Sequence, residues 1–346
     1  MRIIGGTLKG RTLFGFNGED IRPTSDSARE SLFNILGEIA GAEFLDLFAG
    51  TGAIGIEAIS RGAKSDLNDG SKDSVALIKA NCEHLGVTSR AGITRSDALS
   101  FIRSSGKKYD IVFCDPPYKS EIVREVMNAV SVVLKDGGTA VLENDRPFTG
   151  VADGLYLKDV RRYGKAVFSF FGKREDGAAF YAGTFDPITK GHERSIRETV
   201  KGFGKTLIIL GNNPEKEPFF SQDERAAMIE SAFSDIKDDV EIVKFSDFPS
   251  LKEYSDFLKS RNALYFVRGI RDEEDFSYEK KAEKRNSVLY PDFITTYVFC
   301  EEEYKKYHSK AVKSALMKGK SVIGYIPDGA KSVFERIIKE KIKAGD

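Results

Sequence analysis

The chain has 346 residues, which at about 100–200 residues per domain favours two domains over one. Its 53 basic and 53 acidic residues cancel, and the balance holds in each half: residues 1–176 carry 24 of each sign and the remainder 29. That excludes a bulk polyanion binder and leaves any nucleic-acid contact to a local patch.

Hydrophobic residues make up 41% and charged residues 31%, an ordinary soluble globular composition. Cys82, Cys114 and Cys300 fit neither a zinc pattern nor a disulfide framework, so the expected location is a reducing cytoplasm. The opening MRIIGGTLKGR lacks an apolar stretch of signal-peptide length, and no run of about 18 apolar residues occurs, so no membrane partner is expected.

In chain order, β-rich apolar runs alternate with helix-like stretches. The predicted strands are Phe44–Phe48, Asp110–Cys114, Thr139–Glu143, Thr206–Leu210, Glu241–Phe245, Leu264–Val267 and Thr295–Phe299. Ser74–Leu85 and Ser221–Phe233 read as helices, the second opened by a capping box of Ser221 with Glu224. Such alternation implies parallel sheets with helices on both faces. Tyr156–Tyr163 and Lys165–Phe171 flank Gly164 as a closing antiparallel hairpin. A polar linker, Gly172–Gly177, follows, and a new strand, Ala178–Tyr181, opens a second unit. The expected domains are 1–175 and 178–346.

In the first unit, Asp46–Gly55 ends a strand and enters a helix. Gly50 and Gly52 allow a sharp turn and close backbone approach to a ligand. The spacing D-x-F-x-G-x-G departs from the dinucleotide fingerprint. Asp69, after the next short strand, stands where a carboxylate would accept both hydroxyls of a ribose; the alternative is a turn residue in the polar run NDGSKD. Asp97, after a strand near Gly92–Arg95, is a candidate for an adenine amine. Asp115-Pro116-Pro117-Tyr118 directly follows the strand IVFC. An exocyclic base amine is a poor nucleophile because its lone pair is delocalised into the ring. Asp115 and the Pro116 carbonyl can accept its two N–H groups, prolines stiffen the loop, and Tyr118 can stack on a flipped base.

The glycine loop resembles that of class I S-adenosylmethionine methyltransferases, which bind their cofactor there. Over about 175 residues the chain resembles the bacterial guanine-amine methyltransferases of small-subunit ribosomal RNA. The matching stretches are Arg2–Arg11, Arg22–Asn34, Leu45–Ala63 and CDPPY. The resemblance implies S-adenosylmethionine as cofactor, ribosomal RNA or the 30S particle as partner, and an N-terminal arm that grips RNA. Arg2, Lys9 and Arg11, with no acid before Glu19, suit that arm. The family usually carries Glu in a more apolar strand at the ribose position, where this chain has the polar SDLND.

The second unit opens with a strand and then Gly183–His192, reading GTFDPITKGH. His192 at a helix N-terminus can meet a phosphate, and Thr184 can donate its hydroxyl. A protonated or donor-competent imidazole there would bond an α-phosphate as charge builds during in-line attack. The T-x-G-H pattern resembles the HxGH nucleotidyltransferases, and within them phosphopantetheine adenylyltransferase, over nearly all of 178–340. Asn212–Phe220, Phe245–Phe248, Val267–Glu279 and Arg285–Pro291 support it.

By that resemblance Lys216 and Arg268 hold phosphates of substrate and ATP, and Phe185, Gly269, Arg271 and Glu279 line the nucleotide site. The partners are 4′-phosphopantetheine and ATP, with Mg2+ held mainly through phosphates and a homo-oligomer formed through this domain. The fold expected is α/β with two doubly wound domains: a Rossmann-like seven-stranded sheet with a C-terminal hairpin, then a Rossmann-like parallel five-stranded sheet. Where the adenylyltransferase family has a serine-rich loop, this chain has Tyr304-Lys305-Lys306-Tyr307-His308-Ser309-Lys310, keeping Ser309 alone, and then Lys313. That departure leaves open a rival in which only the methyltransferase is active and the C-terminal unit is a degenerate nucleotide-binding or oligomerising module.

Overall fold

A computed structural model describes residues 1–16, 24–117, 122–211, 217–289 and 292–344, with side chains at 285–289 and 344 excepted. Tyr118 and Lys216 lie outside the described residues. The chain divides into two compact units, 1–148 with 152–175 and 149–151 with 176–346.

The first unit runs α1 (Asp26–Leu36), β1 (Glu43–Asp46), α2 (Ala53–Ser60), β2 (Lys64–Asp69), α3 (Lys72–Leu85), β3 (Ala91–Arg95), α4 (Ala98–Ser104), β4 (Tyr109–Cys114), α5 (Ile122–Val130), β5 (Leu134–Asn144), β6 (Leu155–Tyr163) and β7 (Ala166–Lys173). Its seven-stranded sheet has the order β3-β2-β1-β4-β5-β7-β6. β7 pairs antiparallel with both β5 and β6, closing the sheet as the predicted hairpin. β1 stops at Asp46, two residues before the predicted end, because the positive-φ turn through Gly50 (54°) and Gly52 (82°) begins there. Every residue of α2 is buried, so the helix after that turn is a core element.

The polar strand β2 has a structural reason. Asp66 accepts from the Tyr109 hydroxyl at 2.7 Å and Lys107 Nζ at 3.0 Å. The Asn68 amide donates to the Leu47 and Ser96 carbonyls, each at 3.1 Å. Its polar side chains thus tie neighbouring segments together, and the strand needs no apolar alternation to be specified.

The two signature stretches at the N-terminus dock on this core. Glu57, fully buried on α2, accepts from Ile4 N (2.7 Å) and Gly5 N (2.8 Å) and from Arg61 Nε (2.9 Å). A Cβ at Gly6 would stand 2.0 Å from the Ser60 carbonyl oxygen, so only glycine fits. Arg29, fully buried on α1, donates to the Arg2 carbonyl at 2.7 Å and to Asp26 at 2.8 Å. Arg2, Lys9 and Arg11 remain exposed.

The second unit runs β8 (Ala178–Gly183), α6 (Lys190–Phe203), β9 (Thr206–Leu210), α7 (Gln222–Ala232), β10 (Val240–Lys244), α8 (Leu251–Ser260), β11 (Ala263–Ile270), α9 (Glu273–Leu289), β12 (Ile294–Phe299), α10 (Ser309–Leu316) and α11 (Lys331–Ala344). Its five strands are all parallel, in the order β10-β9-β8-β11-β12. The Ser221 capping box is present, with Ser221 N donating to Glu224 at 2.7 Å and Glu224 N to Ser221 Oγ at 3.2 Å. β7 runs to Lys173, so the predicted linker overlaps the sheet by two residues. Among the described residues no helix is long and apolar enough to cross a membrane.

Candidate active sites

In the first unit the site residues gather at the C-terminal ends of β1, β2, β4 and β5. Asp46 is buried and accepts from Gly55 N at 2.9 Å, bracing the glycine loop from below. Asp69 braces it from the side: one oxygen accepts from Gly50 N at 2.9 Å and the other from Ser71 N at 2.8 Å. Asp97 is the N-cap of α4 and accepts from Ser100 N at 3.1 Å, so a helix-capping duty accompanies the sequence-derived one.

Asp115 follows β4 and begins the Asp-Pro-Pro loop. The register that sets Cys114 opposite Leu142 puts Asp115 beside Glu143 on the next strand. Glu143 was not singled out from the sequence. It is 2% exposed and accepts from the Thr24 hydroxyl at 2.7 Å. Three carboxylates therefore share one buried strand-end edge. Burial pushes Asp46 up to about 7, with Asp69 and Glu143 adding to it and the Gly55 N–H opposing. Burial pushes Glu143 up to about 7 against the Thr24 hydrogen bond. Asp115 stands well above the usual carboxylate range, first through burial and then through the charges of Glu143 and Asp46. Such mutual repulsion is relieved when a cation arrives. An acid ending an apolar strand, TAVLE, was the signal available for Glu143, as it was for Asp46 and Asp115. Thr24 lies inside the signature stretch 22–34 and thereby links that stretch to the site.

In the second unit a cavity of about 390 Å³ is lined by Thr184, His192, Arg268, Gly269 and Arg271, and also by Tyr304, Tyr307, His308 and Lys310. Five predicted residues thus meet in one place, and the departing loop 304–310 forms part of the wall. That loop is held against the T-x-G-H motif. The Thr189 hydroxyl donates to the Tyr307 carbonyl at 2.9 Å, and a Cβ on Gly191 would come within 2.3 Å of the same oxygen.

His192 closes a capping box on α6: Thr189 N donates to its Nδ1 at 3.2 Å. A donated proton requires a lone pair at Nδ1, so the neutral ring carries its own hydrogen on Nε2. Burial lowers its pKa to about 4, with Arg271 and His308 adding to the effect. The imidazole is therefore a neutral donor at physiological pH. Of the two forms the sequence left open, protonated or donor-competent, the structure favours the second.

Three sequence-derived roles change in detail. Phe185 is 1% exposed and packs edge-on against the His192 ring at 5.2 Å, so its side chain supports the histidine from the core. Glu279 spends both oxygens on Arg268, accepting from Nε at 2.8 Å and Nη2 at 2.6 Å. It orients the guanidinium that lines the cavity. Ser309 donates its hydroxyl to the Pro187 carbonyl at 2.9 Å, which anchors the loop. Lys313 reaches Asp186 at 2.9 Å, and Asp186 also accepts from Phe219 N and Phe220 N at 3.1 and 2.9 Å. Burial pushes the Asp186 carboxyl up, but Lys313 and the two N–H groups outweigh it and hold the pKa below the usual range. Arg225, 1% exposed, donates to the Thr184 and Gly211 carbonyls at 2.6 and 3.1 Å and fixes the strand-end loops. Among the described residues no cluster of metal-ligating side chains occurs.

A glycine loop braced by carboxylates and a cation-lined cavity at a helix N-terminus, each at the C-terminal edge of a largely parallel sheet, define two transferase folds in tandem. Residues 1–172 match the family described as Conserved hypothetical protein 95, and residues 180–315 match the Cytidylyltransferase-like family. Bacillus subtilis (strain 168) YlbH, provisionally named an rRNA methyltransferase, is 36% identical over 153 residues, which are 42% of this chain and 83% of that protein. The phosphopantetheine adenylyltransferase of Bdellovibrio bacteriovorus is 33% identical over 162 residues, 47% of this chain and 98% of the relative. That of Chromobacterium violaceum is 37% identical over 167 residues, 47% of this chain and 92% of the relative. A solved Escherichia coli structure of a provisionally named methyltransferase, yhhF, is 32% identical and covers 50% of this chain and 98% of its own, with a TM-score of 0.46. The chain belongs to both families, the first through its N-terminal unit and the second through its C-terminal one.

Proposed function

We propose that the chain is a bifunctional enzyme. The first unit methylates the exocyclic amine of a guanine in small-subunit ribosomal RNA, and the second joins AMP from ATP to 4′-phosphopantetheine, releasing pyrophosphate and dephospho-coenzyme A. The reaction sites are residues 1–175 and 178–346, in the cytoplasm.

For methyl transfer, S-adenosylmethionine supplies the electrophilic methyl group on a sulfonium cation. The residues fit such a donor: the Gly50–Gly52 turn leaves backbone room, and three crowded carboxylates favour a nearby positive charge. Asp69 and Asp97 are the candidates for its ribose and adenine. Asp115 and the Pro116 carbonyl accept the amine hydrogens and keep the nitrogen lone pair on the methyl group, with Tyr118 stacking on the base. On methylation by the bound cofactor, which would leave with the C–S electron pair, the amine would give up its proton to the Asp115 carboxylate. Exposed Arg2, Lys9 and Arg11 suit phosphate contact.

For adenylyl transfer, the substrate phosphate oxygen attacks the α-phosphorus while the bond to pyrophosphate breaks. His192 Nε2–H bonds the developing charge, and Arg268, Arg271 and Lys216 neutralise phosphates. No enzyme nucleophile is needed. Mg2+ would be carried on the phosphates rather than by a protein cage.

The observation that carries the second half is the cavity that brings His192 together with Arg268 and Arg271. For the first half it is the Asp46–Asp115–Glu143 edge beside the glycine loop. One purified sample assayed for both reactions tests the reading, with under-methylated 30S particles for one and ATP–pyrophosphate exchange with phosphopantetheine for the other. Asp115→Ala should abolish methyl transfer alone and His192→Ala adenylyl transfer alone. ATP binding without exchange at high enzyme concentration would favour the degenerate-module rival. Methylation of duplex DNA in preference to 30S particles would overturn the ribosomal assignment.

A further inference from the structure

The N-terminal segment of the first unit presents an aromatic ring that methyl transfer itself does not use. Phe14 is 50% exposed, the one exposed phenylalanine or tyrosine among the described residues of that unit. A single exposed ring needs no ligand to explain it. This ring, however, is held in place by groups other than itself. Phe14 N donates to the Asn81 side-chain oxygen at 2.7 Å, and the Asn81 amide donates back to the Phe14 carbonyl at 3.1 Å. Asn81 is fully buried, and its amide also donates to the Thr51 carbonyl at 2.9 Å, in the turn between Gly50 and Gly52. Upstream, Ile3 and Leu13 are buried, and Leu13 N donates to the Met1 carbonyl at 2.9 Å. The backbone at Phe14 is therefore fixed, one side chain away from the glycine turn, without help from the ring.

The Phe14 ring rests against His84, with centroids 4.8 Å apart and planes tilted by 43°. Arg11 Nη2 donates to the His84 carbonyl at 3.4 Å, which brings a guanidinium beside the pair. A fixed aromatic face, backed by a second ring and flanked by a cation, suits single-stranded nucleic acid: the ring takes a base and the cation a phosphate. Because the segment is already ordered, stacking costs little further ordering of the protein. We propose that Phe14 is a stacking platform for an unpaired RNA base other than the target guanine, with Arg11 on a phosphate of the same strand. The proposal rests on the RNA-methyltransferase reading and adds a second base contact to the one at the Asp-Pro-Pro-Tyr loop.

An apolar protein contact would accept leucine at this position, whereas a base requires an aromatic face. In the full chain, Phe14→Leu should raise KM for under-methylated 30S particles about tenfold. Its Tm, its affinity for S-adenosylhomocysteine and the salt dependence of RNA binding should match the parent. Arg11→Gln should instead reduce that salt slope by about one. The chain contains no tryptophan, so Phe14→Trp places a sole indole at the platform. It should keep a parent-like KM, and its fluorescence should be quenched by single-stranded RNA, with saturation followed by the anisotropy of a dye on the RNA. A parent-like KM in Phe14→Leu, or unchanged indole emission at saturating RNA, would overturn the proposal. If the parent methylated no 30S particle, the methyltransferase reading would fail by itself. The indole emission would then still decide the stacking role: quenching by single-stranded RNA supports it, and emission unchanged, or no RNA binding at all, refutes it.

Discussion

Replacing Glu143 with Gln is expected to stabilise the first unit above pH 7 and to flatten its response to pH. The carboxylate is 2% exposed, and burial raises its pKa from 4.5 to about 7. Between those values the native state holds a proton that the unfolded chain has released. Stability therefore falls as pH rises from about 4.5, and the whole cost is felt above 7. At about 1.4 kcal/mol per pKa unit the displacement amounts to roughly 3 kcal/mol. Gln copies the protonated acid in shape, and its carbonyl can still accept from the Thr24 hydroxyl. The variant should thus match the parent near pH 5 and exceed it at pH 8 by roughly 6–12 °C in Tm for a domain of this size. Differential scanning calorimetry of the full chain at both pH values measures this, with the first-unit transition identified by its shift on adding S-adenosylhomocysteine. A lower Tm at pH 8 would mean that the ionised carboxylate stabilises the fold, and the argument from burial would fail.

Gly191→Ala should abolish ATP–pyrophosphate exchange in a chain whose circular dichroism is unchanged, because the new Cβ would displace the Tyr307 carbonyl and with it the cavity wall. Glu279→Gln should raise KM for a phosphate-bearing substrate about tenfold, since Arg268 loses the charge of its bidentate partner; steady-state kinetics on both substrates reads it. Adenylyl transfer should show no inflection from His192 between pH 6 and 8 and should fall as pH drops toward about 4, where a second ring proton at Nδ1 would meet the Thr189 N–H. An inflection near 6.5 that disappears in His192→Asn would contradict the neutral-donor assignment.

Most strands were legible because they are short apolar runs separated by helical stretches, and the closing hairpin because Gly164 divides two β-rich runs. Boundaries were less so where turn geometry decides them, as at Asp46. The polar strand β2 gave little periodic signal, since Asp66 and Asn68 are specified by partners far along the chain, Tyr109, Lys107 and Ser96. For the sites, local motifs were readable and cross-strand partners were not. Asp115 announces itself in Asp-Pro-Pro-Tyr, whereas Glu143 matters because register places it alongside. Likewise Glu279 and Ser309 read as ligand contacts in a linear motif, and only the fold reveals that Arg268 and the Pro187 carbonyl engage them.

The two sites answer opposite electrostatic problems at the same kind of sheet edge. In the first, buried carboxylates that raise one another's pKa values favour an arriving positive charge, such as that of the proposed methyl donor. In the second, a polyanion must be gripped by guanidinium and ammonium groups within about 390 Å³. A charged His192 there would repel Arg271 before any ligand entered. A neutral ring avoids that repulsion and still offers a directed hydrogen, provided that Nδ1 is held as an acceptor. The backbone N–H of Thr189 imposes this condition. A substitution that freed Nδ1 should therefore weaken polyphosphate binding even with the histidine and all the surrounding cations in place.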